Sequence, residues 1–167
     1  MLSDRPRLHV STLRVFRIVH RTYAVDPYSG RSGLQASSRW ASRGRLVSYA
    51  ADNLALATLE MIAGAGSMKR LQEMVYAPAD IDDRALLRPD RDEFPDGWDR
   101  RPPGPVSRSY RDRWLTAGDS VALRVPSVTL PEGWNVVLNP SHADFSDAVT
   151  VGNSRPLDLD PRILSRL

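Results

Sequence analysis

Residues 39–64 read RWASRGRLVSYAADNLALATLEMIAG. From Leu54 to Ala63 every residue is apolar except Thr58 and Glu60. The run has the length of a helix, Asn53 before it is a credible N-cap, and Gly64 is placed to end it. On that helix the neighbours of Glu60 are Leu56, Ala57, Ala63 and Gly64, so no local cation pairs with the carboxylate. A charge among apolar side chains is costly unless something satisfies it. Either Glu60 faces solvent, or the fold brings it a partner from elsewhere. Just upstream, Arg45 to Tyr49 (RLVSY) reads as a strand. Tyr49 at the strand end and Glu60 on the following helix are thereby directed at one cleft.

The rest of the chain bounds what that cleft can belong to. At 167 residues it fits one domain with a real core. We expect that domain to span 1–167, with its core at about 13–160 and a loose leader at 1–10. The apolar fraction of 41% and charged fraction of 26% are ordinary for a globular protein. The absence of cysteine excludes disulfides and thiolate metal sites and fits a reducing compartment. No apolar run approaches the ~20 residues that span a bilayer, and MLSDRPRLHV has no signal-peptide core. A cytoplasmic protein without membrane association is therefore expected. The net charge of +3 is mild. Bases and acids are interspersed, so no direct nucleic-acid binding is expected.

Leu13 to Val19 (LRVFRIV) reads as a strand. Its Arg14 and Arg17 fall on opposite faces, which leaves one of them to point inward. Asp26 to Gly33 is a turn-rich loop carrying Arg31. Met74 to Ala77 reads as a short strand. From Asp80 to Pro105 the chain is charged, holds five prolines and has no period. It is expected to be an irregular surface excursion anchored by Trp98. Arg108 to Ala117 is a short helix closed by Gly118. Ser120 to Val128 is a strand interrupted at Pro126-Ser127, Trp134 to Leu138 another, and Ala148 to Val151 the last. Short strands with few helices give an α+β fold, one compact domain with a mixed, short-stranded sheet. Walker A, GxGxxG and HExxH patterns are absent, and His9, His20 and His142 lack metal-ligand spacing, so no metal is expected. A Ser127–His142–Asp144 hydrolase lacks the GxSxG elbow.

In their order and spacing, Arg39-Trp40, Tyr49, Leu59-Glu60 and Val125-Pro126-Ser127 resemble the RES-domain family, named for its Arg, Glu and Ser positions. The likeness runs from about Leu13 to Asp160. It takes in VFRI, YSGRSG, SYAADNLALATLE, DRWL, LRVPSV and VVLNPSHADF. Ser37-Ser38 and Ala41 stand where many relatives have paired glycines and an asparagine, and Ala143 stands where they have proline.

The resemblance implies a fold similar to ADP-ribosyltransferases. It implies a toxin of a bacterial toxin–antitoxin pair, partnered by an Xre-like helix-turn-helix antitoxin. It further implies NAD as substrate: the nicotinamide–ribose bond is broken and ADP-ribose passes to water, phosphate or a cellular protein. On this reading Glu60 stabilises the developing ribose cation or activates the acceptor. Tyr49 stacks on nicotinamide or hydrogen-bonds near the ribose. Ser127 contacts the ribose or positions the acid. Arg39, then Arg17, hold the pyrophosphate, with Arg31 a third candidate. The bland alternatives are a solvent-facing Glu60, a core Tyr49, a strand-end Ser127 and surface arginines. Two other function classes compete: a non-catalytic binding module of the same fold, and a basic nucleic-acid-binding protein.

Overall fold

The computed structural model describes residues 11–31, 39–40, 44–64 and 68–164. The expected leader and the Ser37-Ser38 and Ala41 positions lie outside these. In chain order the elements are β1 (Thr12–His20), β2 (Ser48–Ala51), α1 (Leu54–Gly64), β3 (Met74–Asp82), β4 (Leu86–Leu87), α2 (Pro105–Ala117), β5 (Ala122–Pro126), β6 (Trp134–Leu138), α3 (Phe145–Ala148), β7 (Val149–Val151), β8 (Arg155–Pro156) and α4 (Pro161–Leu164). The strands form one sheet in the order β4-β5-β6-β2-β1-β3-β7, with β8 also beside β3. Among the described residues only β4 and β5 pair in parallel, so the sheet is mixed, and the α+β class expected from the sequence is the one that forms.

The strand at 74–77 is longer than its sequence suggests, because it continues through Pro78. β3 pairs with β1 along its whole length, from Thr12 opposite Asp82 to His20 opposite Met74. The Pro78 carbonyl accepts the Gly152 N–H at 2.8 Å, so the backbone of Pro78 faces away from β1. There it falls between the stretches covered by β7 and β8. Its missing donor interrupts no ladder. Ala79 and Ile81 are buried while Asp80 and Asp82 point outward, a period of two that carries the strand into the expected excursion. The irregular segment therefore begins only after β4, at Arg88.

The second strand is also shifted. It begins at Ser48 rather than Arg45, because its partner β6 pairs from Asn135 to Leu138 and reaches only Ser48 to Ala51. Arg45 and Leu46 are exposed. The short elements α3, β8 and α4 had no clear signal in the polar C-terminal stretch.

The central strands alternate between two apolar clusters. Val15, Ala50, Val136 and Leu138 face one, roofed by Tyr28 and α3. Leu123, Val125 and Val137 face the other, with Trp40, Phe94, Trp98 and the α2 residue Trp114 packed over them. Trp98 stacks on Trp40 at 6.0 Å between ring centres, so it anchors the 88–104 segment as the sequence suggests. Gly118 ends α2 in the left-handed region (φ 66) and returns its N–H to the Trp114 carbonyl at 3.0 Å. No helix among the described residues is long and apolar enough to cross a membrane.

Two features place the site. β1 and β2 share a single paired position, Phe16 opposite Ala51, so the sheet opens between them. α1 packs against both strands across this opening. Asn53 caps α1, its Oδ1 accepting the Leu56 N–H at 2.8 Å. Leu56 is fully buried, a burial that contributes about 1.5–3 kcal/mol. It lies so close to the β5–β6 turn that a Cβ on Gly133 would sit 3.1 Å from its Cδ2. That contact fixes the helix against the turn its glutamate needs.

Candidate active site

The opening between β1 and β2 is a cleft of about 460 Å³, lined by Arg17, Arg39, Trp40, Tyr49, Glu60 and Asn135 among others. That volume is in the range of small-molecule sites.

Glu60 enters from α1, and the fold does bring it partners. Ser127 Oγ donates to Oε1 at 2.7 Å, Asn135 Nδ2 to Oε1 at 2.6 Å, and Thr129 Oγ1 to Oε2 at 2.7 Å. All three donors are neutral, and no described cation forms an ion pair with Glu60. The carboxylate is thus held by hydrogen bonds that fix both oxygens while leaving its charge unneutralised.

The direction of the Ser127 proton follows from its other bonds. Ser127 Oγ accepts the main-chain N–H of Thr129 at 3.0 Å and of Leu130 at 3.1 Å. With its lone pairs so engaged, its only hydrogen is aimed at Glu60. The Ser127 N–H in turn binds the Gly133 carbonyl at 2.9 Å, and the residue is buried. Ser127 therefore grips the acid from behind, and its flanking residues Pro126 and Val128 line the cleft.

Tyr49 lines the cleft from β2 and packs against the second apolar cluster. Behind it, Arg111 of α2 is fully buried and paired with Asp112 at 3.0 Å. Burial holds the Arg111 guanidinium below its ordinary pKa, and the nearby Tyr49 and Asp112 act against that shift. Nothing in RSYRDRWLTA marks this arginine as internal, since alternate helix positions there are also charged.

Arg17 sits where the β1–β2 ladder stops. It is 6% exposed. Nε donates to the Pro27 carbonyl at 2.6 Å and Nη1 to the Tyr49 carbonyl at 2.7 Å. Its guanidinium thereby ties the two strands where they no longer pair. Burial lowers its pKa to about 10, opposed by Tyr28 and Tyr49, so it stays charged at neutral pH. Arg14 points the other way and pairs with Asp80 at 2.8 Å, as the spacing of the two arginines requires. The loop that supplies Pro27 closes at Gly30 (φ 75), where a Cβ would meet the Val47 nitrogen at 2.9 Å. Only glycine fits that turn.

Arg39 is half-buried and also lines the cleft. Its Nη1 donates to two carbonyls, Trp98 at 2.8 Å and Arg100 at 2.9 Å, and its own carbonyl accepts the Ser107 hydroxyl at 2.8 Å. Burial lowers its pKa, and the neighbouring Arg101 lowers it further, while Asp99 and Glu60 pull the other way. Arg31 is exposed, its N–H 3.5 Å from Ser29 Oγ, and it is not among the residues lining the cleft.

The structure thus gathers Glu60, Tyr49, Arg17 and Arg39 around one cleft, places Ser127 against Glu60, and leaves Arg31 outside. Sequence reasoning missed Thr129 and Asn135. Asn135 carried a usable signal: a lone amide within the apolar strand WNVVL needs a hydrogen-bond partner. Asn139 braces its own turn, with Oδ1 3.1 Å from the Ser141 nitrogen, and His142 ties that turn to the end of α2, with Nε2 2.9 Å from the Gly118 carbonyl.

Comparison with known proteins points to one family. A model of the RES domain matches residues 14–160. The chain is 31% identical over 149 residues to the Prs ADP-ribosylating toxin of Sphingobium sp. (strain YBL2), covering 87% of this chain and 92% of that one. It is 26% identical over 151 residues to a Toxin Res of Yersinia enterocolitica, covering 90% and 99%. Among solved structures, a chain of the M. tuberculosis MbcT–MbcA toxin–antitoxin complex matches with a TM-score of 0.58 at 17% identity, covering 94% of this chain and 89% of that one. At that identity the likeness is one of fold.

Proposed function

This chain belongs to the RES domain family, and on that premise we propose that it is a toxin that consumes NAD by ADP-ribosyl transfer. One observation carries the reading. Glu60 stands in the cleft with both oxygens fixed by neutral donors and with no described ion pair. Its negative charge is left to a cation that arrives with the reaction.

The step balances as follows. The bond between the nicotinamide ring nitrogen and ribose C1′ breaks, and its electron pair leaves with nicotinamide. The positive charge the ring carried passes to the ribose as an oxocarbenium-like centre. Glu60 stabilises that charge, and its position costs no reorganisation because Ser127, Thr129 and Asn135 already hold it. The acceptor's lone pair then bonds to C1′, and its proton leaves to Glu60 or to solvent. Tyr49 offers its ring to the departing nicotinamide. Arg39 faces the diphosphate, and Arg17 holds together the strands that frame the cleft.

The Sphingobium relative carries the name of an ADP-ribosylating toxin, which makes a protein the first acceptor to test, before water or phosphate. The structural neighbour is part of a toxin–antitoxin complex. That likeness supports an antitoxin partner for this chain, and the family resemblance suggests an Xre-like, helix-turn-helix one that covers the cleft and denies entry to NAD.

The test is to incubate the full chain with NAD, with and without cell lysate, and to follow free nicotinamide and labelled protein together. Nicotinamide release by wild type and its loss in Glu60→Gln supports the reading. Absence of release by wild type in both conditions overturns it. A labelled protein band in lysate identifies transfer to protein, whereas release without a band identifies water or phosphate.

A further inference from the structure

The 88–104 segment contributes Pro103 to the lining of the cleft and carries Arg101 two residues before it. Arg101 lies two residues beyond Asp99 and directly follows Arg100, whose carbonyl is one of the two that Arg39 grips. Its side chain leaves the segment and donates through Nη2 to the carbonyl of Val128. Val128 lines the cleft, as does Pro103 on the near side. It also lies between Ser127 and Thr129, the two hydroxyl residues that hold Glu60. Arg101 does not itself line the cleft, but it ties the segment fixed by Arg39 to the turn fixed on Glu60.

The electrostatics of this bridge are unbalanced. Arg101 is close enough to Arg39 for its charge to disfavour that of the Arg39 guanidinium. Both are held by neutral backbone carbonyls, and neither forms an ion pair among the described residues. Asp99 is the nearby carboxylate that offsets Arg39, with Glu60 a lesser influence. Two neighbouring like charges repel, and an anion bridging them removes what Asp99 and Glu60 leave uncompensated. Planar guanidiniums donating in pairs match the oxygens of a diphosphate. Arg101 is exposed, and its single described hydrogen bond is to a carbonyl, so exchanging that acceptor for a charged one is favourable.

We propose that Arg101 is a second diphosphate-binding residue, latched to the Val128 carbonyl in the free protein and transferred to the diphosphate of the bound dinucleotide beside Arg39. The proposal rests on the NAD-consuming reading above and deepens it. Binding then does two things at once. It neutralises the arginine pair, and it frees the turn beside Glu60 from its tie to the 88–104 segment.

The test is calorimetric titration of the full chain, as wild type, Arg101→Ala and Arg101→Lys, with three probes: ADP-ribose, nicotinamide mononucleotide and nicotinamide riboside. These carry a diphosphate, one phosphate and none. Arg101→Ala is expected to weaken ADP-ribose binding about 10–100-fold, the worth of a charged hydrogen bond, and to leave nicotinamide riboside unchanged. Arg101→Lys keeps the charge but not the fork and is expected to fall between. In turnover with NAD, Arg101→Ala should raise KM and hold kcat within about threefold, whereas a residue that only braced the Glu60 turn would lower kcat. Unchanged ADP-ribose affinity in Arg101→Ala, or an equal loss for all three probes, overturns the assignment while leaving NAD cleavage standing. If wild type binds neither ADP-ribose nor NAD, the assignment falls together with the function it rests on.

Discussion

The two walls of the cleft are built on opposite plans. On the acid wall a charged side chain is held by other side chains: two hydroxyls and an amide grip Glu60. On the basic wall charged side chains grip the backbone: Arg17 holds the carbonyls of Pro27 and Tyr49, and Arg39 those of Trp98 and Arg100. The acid is a part positioned by its surroundings, and the arginines are parts that position theirs. A carboxylate has only acceptors to offer and needs donors supplied to it. A guanidinium has five donors and satisfies itself wherever carbonyls are free.

This contrast predicts how each wall fails. Glu60→Gln keeps the shape of the acid wall and removes its charge, so nicotinamide release should drop by about 10²–10⁴-fold with little change in melting temperature. Measured release within tenfold of wild type would break the comparison at its centre. Ser127→Ala removes one grip and leaves the charge. A hydrogen bond to a charged group is worth about 1.5–3 kcal/mol, so kcat should fall about 10–100-fold with KM nearly constant. A change confined to KM would mean that Ser127 touches substrate instead. Arg39→Ala should behave in the opposite sense. NAD affinity should weaken about tenfold or more, and the 88–104 segment should become more susceptible to proteolysis, because two of its carbonyls lose their donor. Equal affinity in a direct titration would remove Arg39 from the site.

The smallest effect belongs to the arginine that escaped the cleft. Hydrogen bonding and charge from Arg14 hold the Asp80 carboxyl below its ordinary pKa. A carboxylate depressed in the folded state stabilises it above the unfolded value, near 4, and that stability is lost as pH falls through the folded value. Arg14 and Asp80 are 64% and 32% exposed, so solvent screens the pair and its contribution is small. Asp80→Asn should therefore lower stability slightly at pH 7 and converge with wild type on acidification. Parallel curves down to pH 2 would show that the pair contributes nothing through its charge.

The walls also differ in how far the sequence discloses them. Glu60 announces itself, since an acid in ALATLEMIA without a neighbouring cation demands an explanation. The motif around Ser127 points the same way. The remaining grips come from 69 and 75 residues away, at Thr129 and Asn135, and only pairing of β5 with β6 brings them together. The parity of Arg14 and Arg17 was readable because β1 is a regular strand. What Arg17 and Arg39 hold was not, since every residue offers the same carbonyl and only the folded path decides which are exposed to them. Pro78 misled for a related reason. A proline usually argues against a central strand, and here it falls in the gap between two short neighbours.

One consequence follows from the single shared rung between β1 and β2. The same break in the ladder that makes room for a ligand has to be bolted, and Arg17 is the bolt. Descendants of this chain that abandon catalysis can exchange Glu60 for a neutral residue that still accepts from Ser127, Thr129 and Asn135. They cannot lose Arg17 as freely, because the two leaves of the sheet would then meet at Phe16 and Ala51 without it. An inactive lineage on this scaffold is therefore expected to shed its acid first and to keep its buried arginine long after the chemistry is gone.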